Sequence, residues 1–209
     1  MWRIIILLKI LFLTLLSVSC ASANVYLTPK NQVSIPLNKN NNLEKGKVLQ
    51  IYDGDTILVQ TDRSTMSLRF YGIDTPETFK PGKDEKLSLY EDFYAQKSTK
   101  YLQSLISINQ EIYFTQQAID KYNRTIAILF TNSEQSHIKQ SINFKLVEQG
   151  WARVAYICYS KCHEYNVKND YQKEFLTDIL QAQSNAKFNK RGIWAQQEAL
   201  VFHKKWTQK

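Results

Sequence analysis

The chain is poor in the residues that build metal clusters and cross-linked scaffolds. Its 209 residues contain three cysteines and three histidines. Cys20 lies near the N-terminus, which leaves one pair, Cys158-Tyr-Ser-Lys-Cys162. A single pair cannot frame a disulfide-rich fold, and no second ligand pair completes a four-ligand zinc site. Internal repeats are missing, and so is a long membrane-spanning apolar run. The composition of a disordered chain is missing too, since 44% of the residues are hydrophobic and 22% charged. Acidic charge is the scarcer sign: 27 Lys and Arg against 19 Asp and Glu give a formal net charge of +8. That balance suits nucleic acid or an anionic membrane surface and by itself does not choose between them. What remains is long enough for one ordinary domain with a real core and some additional segments.

The N-terminus carries Arg3 and Lys9, then the apolar run Ile10 to Val18, then Ser19-Cys-Ala-Ser-Ala23. A basic start, a short apolar core and a small-residue site describe a secretory signal peptide over residues 1–23. Two processing routes stay open. In one, cleavage follows Ala23. In the other, Leu16-Ser-Val-Ser-Cys20 acts as a lipoprotein signal, with Cys20 lipidated and attached to the membrane. The protein is therefore expected to be exported, either secreted or periplasmic, or else a membrane-anchored lipoprotein. Loss of Arg3 and Lys9 leaves the mature chain at +6. In an oxidising compartment Cys158 and Cys162 are expected to close a small disulfide loop, worth about 2 kcal/mol or less. Zinc, with His163 as a third ligand, is the rival reading of that pair.

Residues 24–45 hold Pro29, Pro36 and the run Asn38-Lys-Asn-Asn-Asn42, and read as a flexible arm. A domain is expected over 46–195, followed by a C-terminal tail over 196–209. Within the domain, Lys47 to Tyr52 and Thr56 to Thr61 read as strands joined by the tight turn Asp53-Gly-Asp55. Ser67 to Tyr71 makes a third strand, and Leu87 to Ile106 switches to helical spacing with Tyr94, Tyr101, Leu102 and Leu105 on one face. Glu111 to Thr115 and Thr125 to Phe130 return to strand character. A short helix over Ser141 to Gln149 ends at Gly150, and a last helix runs from Asn169 to Asn189. The stripe Tyr171, Phe175, Ile179, Ala182 and Ala186 marks its buried face. This order predicts an α+β chain whose five short strands suit a small closed barrel.

Chemistry concentrates in Leu68-Arg-Phe-Tyr-Gly-Ile-Asp-Thr-Pro-Glu77 and in Asp53-Gly-Asp-Thr56 upstream. If the strands bearing them are neighbours, Asp55 and Asp74 reach one cation. All the ligands are oxygens, which favours Ca²⁺ or Mg²⁺ over zinc. Pro76 biases Thr75 towards extended backbone, which would aim the Thr75 carbonyl at the same ion. Glu77, three residues beyond Asp74, is placed to take a proton from a water aligned on phosphorus. Arg69 and Arg124 offer guanidinium forks to the equatorial phosphate oxygens, where charge builds during phosphoryl transfer. Singly, each residue has a bland alternative as a turn, a cap or a solvated charge. Together they describe a hard-metal site for phosphodiester cleavage.

Several of these runs, in this order, resemble the staphylococcal nuclease (thermonuclease) family over residues 46–194. They are Tyr52-Asp-Gly-Asp-Thr56, Leu68-Arg69, Ile73-Asp-Thr-Pro-Glu77, Asp120-Lys-Tyr-Asn-Arg124, Leu146 to Tyr156, and Ile193-Trp194. The resemblance implies an OB-fold-type five-stranded β-barrel with three helices. It also implies a Ca²⁺-dependent endonuclease for DNA and RNA that leaves 3′-phosphate ends; a preference for single strands and a monomeric state are expected alongside. By it, Asp55, Asp74 and Thr75 hold calcium, while Arg69, Glu77 and Arg124 are catalytic. Lys121, Tyr122 and Tyr156 then contact substrate. Two departures stand out. Asn123 replaces the usual glycine of its loop, and asparagine is the next most tolerant residue of left-handed geometry. Cys158 replaces an aromatic of the base pocket. A non-catalytic nucleic-acid-binding barrel is the main alternative, and the intact carboxylate set argues against it, because a pure binder has no need of carboxylates facing phosphate.

Overall fold

In the computed structural model, which describes residues 43–82, 86–134, 137–160 and 165–205, apolar alternation in the sequence becomes a curved sheet. β1 (Glu44–Ile51) buries Gly46 and Val48 while Lys45 and Lys47 face out. β2 (Thr56–Gln60), β3 (Thr65–Phe70), β4 (Glu111–Ile119) and β5 (Thr125–Phe130) follow. The strands close in the order β1-β2-β3-β5-β4, so no edge is left unpaired. Every neighbouring pair is antiparallel except β3 and β5, which run parallel with Arg69 opposite Ile126. This is the expected α+β, OB-type barrel with three helices.

α1 (Glu91–Leu105), α2 (Ile142–Glu148) and α3 (Asp170–Phe188) complete the fold. Ser141 caps α2 by accepting from the Phe144 amide, and Asn169 caps α3 by accepting from Gln172. Such caps are each worth about 1 kcal/mol. The expected stripe on α3 is buried throughout. β5 is buried at all six positions, because the barrel interior lies on one side and α2 packs on the other. Asn143, fully buried, joins the two: its amide donates to the Tyr71 and Ala127 carbonyls, and its oxygen accepts from Leu129 N. Gly150 takes φ +73°, where a Cβ would collide with the Arg191 carbonyl. Among the described residues no helix is long and apolar enough to cross a membrane.

Several boundaries differ from expectation. β1 already begins at Glu44, inside the expected arm, because Glu44 and Lys45 pair with Phe114 and Tyr113. β4 runs on to Ile119 through a bulge between Gln116 and Ala118, and the polar glutamines there hide the strand period. α1 starts at Glu91 rather than Leu87, because the Glu91 carboxylate accepts from Ser88 N and fixes the entry turn. The expected tail differs most. Val201 and Phe202 are buried with Tyr94, Ala186, Ile193 and Trp194 in a second apolar cluster, so the described residues 198–205 pack on the domain.

Candidate active site

The β1–β2 turn is the first device of the site. The Asp55 amide donates to the Asp53 carboxylate, Tyr52 N donates to the Thr56 carbonyl, and the turn exits with the Asp55 side chain fully buried. Thr56 lies opposite Arg69 in the β2–β3 ladder, which brings the Arg69 guanidinium beside Asp55. After β3 the chain reverses at Gly72, φ +73°, where a Cβ would press on the Phe175 ring at 2.8 Å. It then pairs Ile73–Asp74 with Arg153–Val154, setting Asp74 directly across from Arg153.

Asp74 is therefore held from three sides. Arg69 Nη2 donates to its Oδ1 at 2.9 Å, and Arg153 donates to its Oδ2 through Nε at 3.1 Å and Nη2 at 2.8 Å. The Tyr156 hydroxyl donates to Oδ1 at 3.2 Å. Asp55 shares the Arg69 guanidinium through Nη1, and its Oδ2 accepts from Thr75 N at 2.8 Å. One guanidinium thus spans both carboxylates. Burial holds the Asp55 carboxyl well above the usual range, with Arg69 opposing that rise. For Arg69, burial works downward, but Asp55 and Asp74 outweigh it and keep the guanidinium charged. The Tyr156 hydroxyl is pushed up by burial first and by Asp74 second, so it stays protonated as a donor. Tyr156 sits at φ +66°, a left-handed conformation costing an ordinary residue about 1–2 kcal/mol. Its hydroxyl bond to Asp74 and the Arg69 guanidinium 5.9 Å from its ring accompany that geometry.

Arg124 comes from the β4–β5 loop, which Asp120 organises. Asp120 Oδ1 accepts from the Tyr122 and Arg124 amides at 2.9 Å, and Oδ2 takes the Arg124 Nε at 2.7 Å. Burial acts to raise Asp120, but these hydrogen bonds outweigh it and hold its carboxyl below the usual range. Asn123 adopts φ +61°, the left-handed geometry that the usual glycine would take. Glu77 is tethered through its backbone amide to the Glu91 carboxylate, and its own carboxylate lies 3.8 Å from Lys80.

Asp53, Arg69, Glu77, Lys121, Tyr122, Arg124 and Tyr156 line one cleft of about 480 Å³. Five cationic side chains there face three carboxylates, a balance that favours an anionic ligand. Asp55, Asp74 and Thr75 lie behind the cleft, at most 6% exposed, and reach it through Arg69 and Tyr156. Tyr156 differs from a simple stacking platform, because its hydroxyl is committed to Asp74. Cys158 is buried and disulfide-bonded, and it does not line the cleft. Its expected partner Cys162 and the candidate lipidation site Cys20 lie outside the described residues.

The donors suit a hard cation. Two carboxylates already share one positive group, the Arg69 guanidinium, and the Thr75 amide donates to one of them. Among the described residues no group of three His, Cys, Asp or Glu side chains converges on a metal position, so the side-chain ligands open to a cation here would be the two carboxylates. Sequence reasoning missed Arg153 and Glu91. A lone arginine within Trp-Ala-Arg-Val-Ala was the available signal for the first, since a buried cation demands a buried anion.

The family model for staphylococcal nuclease homologues matches residues 67–196. A thermonuclease of Staphylococcus hyicus is 30% identical over 158 residues, covering 75% of this chain and 79% of that protein. A thermonuclease of Staphylococcus intermedius is 28% identical over 149 residues, 70% of this chain and 74% of that protein. A micrococcal nuclease of Shigella flexneri is 26% identical over 159 residues, with 74% and 76% covered.

Proposed function

The chain belongs to the staphylococcal nuclease family and is a nuclease, a hydrolase of phosphodiester bonds, and we propose that it cuts DNA and RNA internally with Ca²⁺, leaving 3′-phosphate ends. The observation that carries this reading is the meeting of Arg69, Glu77 and Arg124 in one cleft, directly in front of the paired carboxylates of Asp55 and Asp74. Asp55, Asp74 and the Thr75 carbonyl would hold the cation, which when bound neutralises phosphate charge and makes a coordinated water more acidic. Glu77 accepts the proton of the attacking water. Arg69 and Arg124 take the phosphate oxygens in bidentate hydrogen bonds that strengthen as charge builds on them. Lys121 and Tyr122 hold the neighbouring phosphate, and the Tyr156 ring offers the base a face. The bond to the 5′ oxygen breaks, and the phosphate stays on the 3′ side.

The deciding assay is digestion of a single-stranded DNA with Ca²⁺ and with a chelator. Loss of cutting in chelator and its return with added Ca²⁺ are expected, and cutting unchanged by chelator would refute the metal assignment. Fragments should serve as polymerase primers only after phosphatase treatment, the mark of 3′-phosphate ends.

Export, a monomeric state and a preference for single strands belong to the same proposal. The signal-like residues 1–23 support export, and the basic balance supports a nucleic-acid substrate. Mass spectrometry of the mature N-terminus decides between cleavage after Ala23 and lipidated Cys20.

A further inference from the structure

Residues Glu198 to Lys204 lie beyond the family match, which ends at residue 196, yet they are built onto the site. Arg153 Nη1 pairs with Glu198 at 3.0 Å, its Nη2 donates to the Lys204 carbonyl at 2.8 Å, and its guanidinium lies 3.8 Å from the Phe202 ring centre. His203 is fixed independently. Its amide donates to the Glu91 carboxylate at 3.0 Å, and its ring nitrogen Nδ1 lies 2.7 Å from the same carboxylate. Arg153 is the residue paired with Asp74, and Glu91 is the one that tethers the Glu77 amide. The segment is thus registered against residues that hold Asp74 and Glu77, and Lys204, exposed, lines the same cleft as Glu77 and Arg69.

We propose that Lys204 is an additional phosphate contact, extending the binding track of a single nucleic-acid strand beyond the phosphate being cut. The inference rests on the nuclease reading. A lysine ammonium in the cleft lining is a point charge for phosphate, and a backbone seated through Arg153, Phe202 and His203 reduces the entropy of placing it. Its neighbour Lys205 is also exposed but does not line the cleft, which supplies a built-in control.

The experiment measures fluorescence-anisotropy affinity for a fluorescent oligothymidylate, in chelator, over a series of salt concentrations. The proteins compared are wild type, Lys204→Gln and Lys205→Gln, with strand integrity checked on gels and thermal melts recorded for each. Lys204→Gln should bind about fivefold more weakly at low salt, and its slope of log affinity against log salt should be shallower by about 0.7. Lys205→Gln should stay within about twofold of wild type with an unchanged slope, and all three should melt together. An unchanged slope in Lys204→Gln, or an equal loss in Lys205→Gln, overturns the contact while leaving the nuclease reading intact. Salt-independent binding by wild type itself would overturn the contact and, with it, the basic cleft as the binding surface, while cleavage is tested separately by the digestion assay.

Discussion

Replacing Arg153 by methionine tests the buried half of the site. The change removes two hydrogen bonds to Asp74, one to Glu198 and one to the Lys204 carbonyl, from a side chain only 3% exposed. Removing one partner of a buried ion pair costs about 3–5 kcal/mol, because the other charge stays desolvated. Asp74 keeps Arg69 and Tyr156, which places the expected loss at the lower end, about 3 kcal/mol. In a domain of this size that lowers the melting temperature by about 6–12 °C. Arg153→Lys should recover part of the loss, since it restores charge but not the planar fork. The contrast is Arg124→Met. Arg124 is 32% exposed and pairs with Asp120 at the cleft rim, so its removal should cost no more than about 1 kcal/mol. Urea unfolding followed by tryptophan fluorescence, in chelator, reads both. Arg153→Met within 1 kcal/mol of wild type, or Arg124→Met losing as much as Arg153→Met, would refute the partition.

Glu77→Gln should abolish cleavage while single-strand affinity stays within about threefold, because the amide keeps the shape but cannot take the proton; near wild-type cutting would exclude Glu77 as the base. Glu174 is raised above the usual range first by burial and then by Asp178, and among the described residues its Oε2 finds no hydrogen-bond partner. A raised folded pKa means that the ionised form opposes folding at neutral pH and that the penalty fades as pH falls through that value. Glu174→Gln should therefore melt above wild type at pH 8, with the gap closing towards pH 4 in melts across pH, and a gap that widens on acidification would reverse the assignment.

The fold was legible where period and caps agree. The α3 stripe, the Gly150 terminus, the Asp53–Asp55 turn and the left-handed Asn123 are all local features that a chain carries in its own spacing. The long β4 was less legible, because Gln116 and Gln117 lie at a bulge and mask the alternation. The C-terminal segment was least legible. Val201 and Phe202 are two apolar residues with no period, and their burial comes from packing against Tyr94, Ala186, Ile193 and Trp194, which are far away in sequence or belong to other elements. In the site, proximity in sequence found Arg69, Asp74, Thr75 and Glu77. It could not find Arg153, which stands 79 residues from Asp74 and meets it only through a two-residue strand pair.

That pairing also explains how two carboxylates coexist so deep in the molecule. Asp55, with no exposed surface, relies on Arg69, the Thr75 amide and the Thr56 hydroxyl. Asp74 has a guanidinium of its own in Arg153, plus the Tyr156 hydroxyl. The two arginines therefore differ in kind. Arg153, 3% exposed and anchored at Glu198 and Lys204, is a structural counter-charge. Arg69, 12% exposed and lining the cleft, is the one that neutralises both carboxylates while facing the ligand side. Under the proposed reaction, Asp55 and Asp74 would hold the cation, and a phosphate in the cleft would draw on the Arg69 guanidinium that the two carboxylates now share. Arg153, which donates to Asp74 Oδ2 and not to the Oδ1 that Arg69 contacts, would keep Asp74 anchored while Arg69 engages phosphate.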